Sequence, residues 1–174
     1  MDVRGFTSLG EKVSPRELTR LMNDFYRIAA DEVVRLDGTV DKFVGDQIMA
    51  FFGAPFRPHD HPERAVQAAA AIVSRVSDMA GGLQVGGGVA SGRANVGNVG
   101  VELIKDYTVL GDVVNVAARL QGSAGPGEVL LTDETFQMVR DRYPHCAKRE
   151  LELRGKSKTT TAWVLRVGAG LEPV

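Results

Sequence analysis

The stretch Thr39-Val40-Asp41-Lys42-Phe43-Val44-Gly45-Asp46-Gln47-Ile48-Met49-Ala50-Phe51-Phe52 decides the fold. Thr39 to Val44 and Ile48 to Phe52 are rich in β-branched and aromatic residues, and a Gly45-Asp46 turn joins them, which predicts a β-hairpin with Asp46 at its tip. Helical patterns flank it. Upstream, Ser14-Pro15-Arg16-Glu17 is a capping box with proline at the first helical position, and Leu18, Leu21, Met22, Phe25, Ile28, Ala29, Val33 and Leu36 recur at helical spacing until Asp37-Gly38. Downstream, Pro62 and Glu63 open a second helix, with Asp60 or His61 as its cap and Gly81-Gly82 marking its end.

Beyond the second helix, strand-like runs at Leu83 to Val89 and Ala94 to Val99 are separated by Ser91-Gly92-Arg93, and the glycines around them imply close backbone approach. Tyr107 to Leu110 predicts a strand and Val113 to Gln121 a helix, in which Asn115 and Arg119 share one face because they are four residues apart. The tail alternates a strand (Glu128 to Leu131), a helix (Asp133 to Asp141, capped by Thr132 or Asp133) and two strands (Ala147 to Leu153, Thr161 to Val167). This order suits an α+β sandwich of ferredoxin-like type, a mainly antiparallel sheet with helices on one face, and residues 1–174 read as a single domain.

The 174 residues are 44% hydrophobic, enough for one core, and 21 basic against 22 acidic residues leave a net charge of −1. That balance excludes a sequence-wide field for nucleic acid or anionic lipid, so phosphate chemistry must come from local placement. Cys146 is the single cysteine and reads as a half-buried packing residue in a reducing compartment. No apolar run reaches the length of a membrane span and no signal peptide precedes the first motif, so the expectation is a cytoplasmic domain without membrane contact, whose parent protein could be anchored upstream. There is no Walker loop, Gly86-Gly87-Gly88 lacks a dinucleotide-binding context, and His59-Asp60-His61 reads as a helix-start loop.

Two carboxylates beside glycines stand out: Asp2 in Asp2-Val3-Arg4-Gly5-Phe6-Thr7, and Asp46. Brought together, they would form a hard-oxygen site for one or two Mg²⁺ or Mn²⁺ ions against a nucleotide triphosphate. A metal-binding Asp2 should end a buried strand, yet only Met1 precedes it, so the first strand reads as truncated, with a sheet edge exposed and Asp2 loosely held.

Together with Lys42-Phe43-Val44-Gly45-Asp46, Ser91-Gly92-Arg93, Asp106-Tyr107-Thr108-Val109-Leu110-Gly111-Asp112 and Val114-Asn115-Val116-Ala117-Ala118-Arg119-Leu120, the Asp2 motif resembles the catalytic domain of class III adenylate and guanylate cyclases over nearly the whole chain. The resemblance implies an antiparallel homodimer with two sites built from both protomers. It implies that Asp2, Asp46 and the Val3 carbonyl bind two Mg²⁺ or Mn²⁺ ions, that Gly5, Phe6 and Thr7 hold the triphosphate through backbone N–H groups, and that Arg93 and Lys156 meet the β- and γ-phosphates. Lys158 or Arg154 could take the place of Lys156 by a shift of register. Lys42 and Thr108 match the pair that reads the purine, in the combination that points to ATP, with Asp106 nearby as a rival for the Thr108 position. Asn115 and Arg119 match the catalytic residues that orient the ribose and stabilise charge at the α-phosphate. Asp112 is expected to cap the Asn115 helix. The reading implied is an adenylate cyclase; its rivals are a non-catalytic nucleotide-binding or regulatory module of the same fold, and a guanylate cyclase, which Lys42 disfavours.

Overall fold

The computed structural model describes residues 1–152 and 159–168. In chain order its elements are β1 (Asp2–Val3), α1 (Phe6–Lys12), α2 (Pro15–Arg35), β2 (Thr39–Val44), β3 (Gln47–Phe51), α3 (His61–Ser77), β4 (Val85–Val89), β5 (Asn95–Val101), β6 (Ile104–Leu110), α4 (Asp112–Ser123), β7 (Glu128–Thr132), α5 (Asp133–Val139), β8 (Ala147–Leu151) and β9 (Thr160–Arg166). Local chemistry sets several of these boundaries. The Ser14 hydroxyl accepts from the Glu17 N–H at 3.2 Å to start α2, and the Thr132 hydroxyl caps α5 in the same way. Asp60 occupies the cap position of α3 without a side-chain capping bond, and its carboxylate pairs with Arg64 instead. Gly111 is the cap residue of α4, so Asp112 begins that helix. Cys146 is buried, and burial pushes its thiol up to about 11.

Seven strands form one sheet in the order β2-β3-β1-β4-β7-β9-β8. The pairing is antiparallel except between β4 and β7, where Gly87 lies opposite Val129 in a parallel register. Helices cover both faces rather than the one expected. Val129 and Leu131 join the larger core with Phe25 and Ala29 of α2, Val66 and Ile72 of α3 and Phe136 of α5, whereas Leu130, between them, points the other way onto Leu120 of α4. Gly88 makes the α4 contact possible, because a Cβ there would overlap the Ala117 carbonyl oxygen and the Gln121 nitrogen. Each fully buried side chain of this kind stabilises the fold by about 1.5–3 kcal/mol relative to exposure.

The run at Ala94 to Val99 becomes β5, which pairs with β6 in a separate two-stranded ribbon. One further expectation changes. β1 does not leave an edge, because it lies between β3 and β4, with Asp2 opposite both Gln47 and Gly86. Its backbone is held by Val3 N–H to the Asp46 carbonyl (3.1 Å), Arg4 N–H to the Gln84 carbonyl (2.7 Å) and Ile48 N–H to the Met1 carbonyl (3.0 Å). Asp2 is therefore fixed in mid-sheet. α1, which no sequence pattern signalled, follows β1 directly after Gly5.

Candidate active site

Asp2 and Asp46 meet because the hairpin tip folds back beside β1: the Val3 N–H bonds the Asp46 carbonyl, so the two aspartates stand on neighbouring segments. Gly45 turns the tip with φ +59°, a conformation that favours glycine. Asp2 Oδ1 lies 2.9 Å from Arg4 Nη2 without hydrogen-bond alignment and remains a buried oxygen with no hydrogen-bond partner, while Gln47 Nε2 donates weakly to Oδ2 at 3.4 Å. An unpartnered Asp2 carboxylate oxygen, the Asp46 carboxylate on the neighbouring segment and the backbone carbonyl of Val3 are oxygen donors of the kind that suits Mg²⁺ or Mn²⁺. Among the described residues no three His, Cys, Asp or Glu side chains converge, so such ions would need substrate phosphates to complete their shell, as Mg²⁺ sites commonly do.

Gly5, at φ +70°, caps α1 without a side chain, so no side chain caps the first-turn N–H groups at Phe6 and Thr7. Arg93 is exposed and lines a cavity of about 350 Å³ with Ser91, Gly92, Asp112, Val113, Thr132 and Glu134. Lys156, Lys158 and Arg154 lie outside the described residues.

Lys42, on β2, comes within 3.9 Å of Asp106 on β6. Thr108 is two residues further along β6, on the same face of the strand, and is 6% exposed. The structure thus brings Lys42 to the β6 face that carries both Asp106 and Thr108. Asn115 and Arg119 share the face of α4 opposite Leu120, and neither side chain makes a hydrogen bond or ion pair to the described residues. Among the described residues, neither side chain contacts Asp2 or Asp46 by a hydrogen bond or ion pair.

The model of the family described as adenylate and guanylate cyclase catalytic domain matches residues 1–166. The chain belongs to this cyclase family. An uncharacterized protein of Mycobacterium tuberculosis is 36% identical over 159 residues, 89% of this chain and 29% of its own length, and a second is 40% identical over 144 residues, 81% and 27% respectively. The cyclase domain therefore spans under a third of the curated relatives it matches. The crystal structure of the adenylyl cyclase CyaB from P. aeruginosa superposes with a TM-score of 0.82 at 30% identity, covering 98% of this chain and 93% of that one. The crystal structure of the guanylyl cyclase Cya2 gives a TM-score of 0.84, also at 30% identity, covering 99% and 92%.

Three residues of the cyclase domain went unassigned in the sequence reading. The Arg4 guanidinium bridges Asp2 to the Gln121 carbonyl at the end of α4, donating to the latter at 2.7 Å, and it passes over Gly86, where any Cβ would obstruct it. The Tyr26 hydroxyl donates to the Gly45 carbonyl and its ring packs on Phe43 with centroids 4.4 Å apart, bracing the hairpin tip. Burial, reinforced by the Asp46 charge, raises the Tyr26 hydroxyl above its ordinary pKa. Asp41 is the third, a carboxylate buried at an irregularity of β2. Only Tyr26 left a signal, as a polar-tipped aromatic beside the apolar stripe of α2.

Proposed function

We propose that this cyclase domain is an adenylate cyclase acting as a homodimer. The 3′-hydroxyl oxygen of ATP bonds to the α-phosphorus, the bond from that phosphorus to the β-phosphate bridging oxygen breaks, the hydroxyl proton leaves, and 3′,5′-cyclic AMP and pyrophosphate form. Asp2, Asp46 and the Val3 carbonyl would hold two Mg²⁺ or Mn²⁺ ions, which supply activation of the hydroxyl and neutralisation of the triphosphate. Gly5, Phe6 and Thr7 offer N–H groups to the triphosphate, and Arg93 adds charge toward its outer end. Arg119 meets charge developing on the α-phosphate while Asn115 orients the ribose.

The observation that carries the choice of ATP is Lys42 set against the Thr108 face of β6. An ammonium donor suits the unprotonated ring nitrogen of adenine, whereas guanine presents an N–H at that place. The matched adenylyl and guanylyl cyclases are equally identical to this chain, so the substrate must be argued from these residues. Exposed apolar residues support the dimer. Phe43 and Val44 on the hairpin, and Val99, Val101 and Leu103 on the ribbon, leave Leu103 96% exposed in the single chain. The outward aim of Asn115 and Arg119 also suits a site shared between protomers. Purified protein incubated with ATP and Mn²⁺ should form cyclic AMP with a specific activity that rises with protein concentration. Absence of product at concentrations that saturate dimerisation would reject the enzymatic reading, and calorimetric ATP–metal binding without turnover would favour a non-catalytic module.

A further inference from the structure

Strand β2 is irregular next to Lys42. Val40 pairs with Ala50 and Lys42 with Met49, so Asp41 is the additional residue of a bulge. Regular alternation would send Asp41 and Lys42 to opposite faces of the sheet, and a bulge re-aims a side chain. Here Asp41 Oδ2 lies 3.7 Å from Lys42 Nζ, the Asp41 side chain is 1% exposed, and neither of its carboxylate oxygens has a hydrogen-bond partner. Burying a carboxylate without hydrogen bonds is unfavourable, so Asp41 lowers stability where an apolar residue would raise it. On the opposite side Asp106, 74% exposed, lies 3.9 Å from the same ammonium. Both separations exceed a hydrogen bond, so the two carboxylates fix the position of the charge while its three N–H donors stay uncommitted.

We propose that Asp41 is a positioning residue for purine selection: from the β2 bulge it fixes the Lys42 ammonium against the purine edge and thereby sets the preference between adenine and guanine nucleotides. The proposal rests on the reading that Lys42 meets the purine. Of the two flanking carboxylates Asp41 is the stronger anchor, because its surroundings exclude the water that screens Asp106.

The test is calorimetric binding of 3′-deoxy-ATP and 3′-deoxy-GTP, which lack the attacking hydroxyl and cannot turn over, to the wild-type dimer and to Asp41→Asn, Lys42→Ala and the double variant. The wild-type ratio of the two affinities tests the ATP reading by itself: a preference for 3′-deoxy-GTP rejects that reading, whatever Asp41 does. The proposal is tested by the change in that ratio. Asp41→Asn should move it toward unity by about tenfold, most of the shift the Lys42→Ala variant produces, and the double variant should add little to Lys42→Ala. The melting temperature of Asp41→Asn should equal or exceed that of the wild type, since an unpartnered buried charge has been removed. A ratio within twofold of wild type in Asp41→Asn overturns the proposal, and so does a ratio change that adds fully to that of Lys42→Ala. A lowered melting temperature with an unchanged ratio would make Asp41 a structural residue only.

Discussion

Replacing Glu128 by glutamine should destabilise the domain in a pH-dependent way. Glu128 begins β7 and is 8% exposed. Its carboxylate receives two Arg149 hydrogen bonds at 2.8 Å and the Gly125 N–H at 2.9 Å, with Arg166 Nε 3.4 Å away. The Arg149 hydrogen bonds, against the opposing effect of burial, hold its pKa down at about 2 from an ordinary 4.5. At about 1.4 kcal/mol per pH unit that difference is worth about 3 kcal/mol, and solvent around the half-exposed arginines reduces it to about 2–3 kcal/mol. A carboxyl whose folded pKa is depressed stabilises fully above its unfolded pKa, so the contribution is complete above about pH 5 and is lost as pH falls from 4.5 toward 2. Urea unfolding of wild type and Glu128→Gln should therefore differ by about 2–3 kcal/mol at pH 7 and by less than half of that at pH 3. A difference below about 0.5 kcal/mol at pH 7, or one that does not shrink on acidification, would refute the reasoning.

Other expectations follow from packing and from the site. Gly88→Ala should cost about 2 kcal/mol or more in chemical denaturation, because the added methyl meets the rigid backbone of α4 rather than a movable side chain. Glu32, 4% exposed, ties α2 to α3 through Arg75 Nη1 at 2.6 Å and also accepts from Arg35 Nε of its own helix at 3.0 Å, and Glu32→Ala should lower stability by about 3 kcal/mol, read as a fall in the urea midpoint. Arg119→Ala should reduce turnover by about a hundredfold or more with an unchanged melting temperature, since its side chain has no partner among the described residues.

The helices and the hairpin were legible because their signals are local. Ser14-Pro15 with Glu17, and Gly45-Asp46 between two β-prone runs, fix ends and turns through bonds within a few residues. The order of the strands was not legible. Strand partnership is a long-range choice, and Gly86, Gly87 and Gly88 of β4 carry no side chains whose pattern could favour one partner over another. Helix α1 was missed because its Phe6-Thr7-Ser8-Leu9-Gly10 sequence has low helix propensity, so tertiary packing of Phe6 and Leu9 on the core decides it. At the site, the motif residues were legible one by one, but their supports were not. Arg4 bonds Gln121 across the fold and Asp41 sits at a bulge, and neither arrangement is visible in spacing along the chain.

The choice of ATP and the claim of catalysis are tested most directly by supplying equimolar ATP and GTP with Mn²⁺ to the purified protein and identifying the cyclic products by mass spectrometry. Cyclic AMP is expected in at least tenfold excess over cyclic GMP, a preference of about 1.4 kcal/mol. Predominant cyclic GMP would contradict the role given to Lys42 and Thr108, and no cyclic product at all would contradict catalysis by Asp2, Asp46 and Arg119.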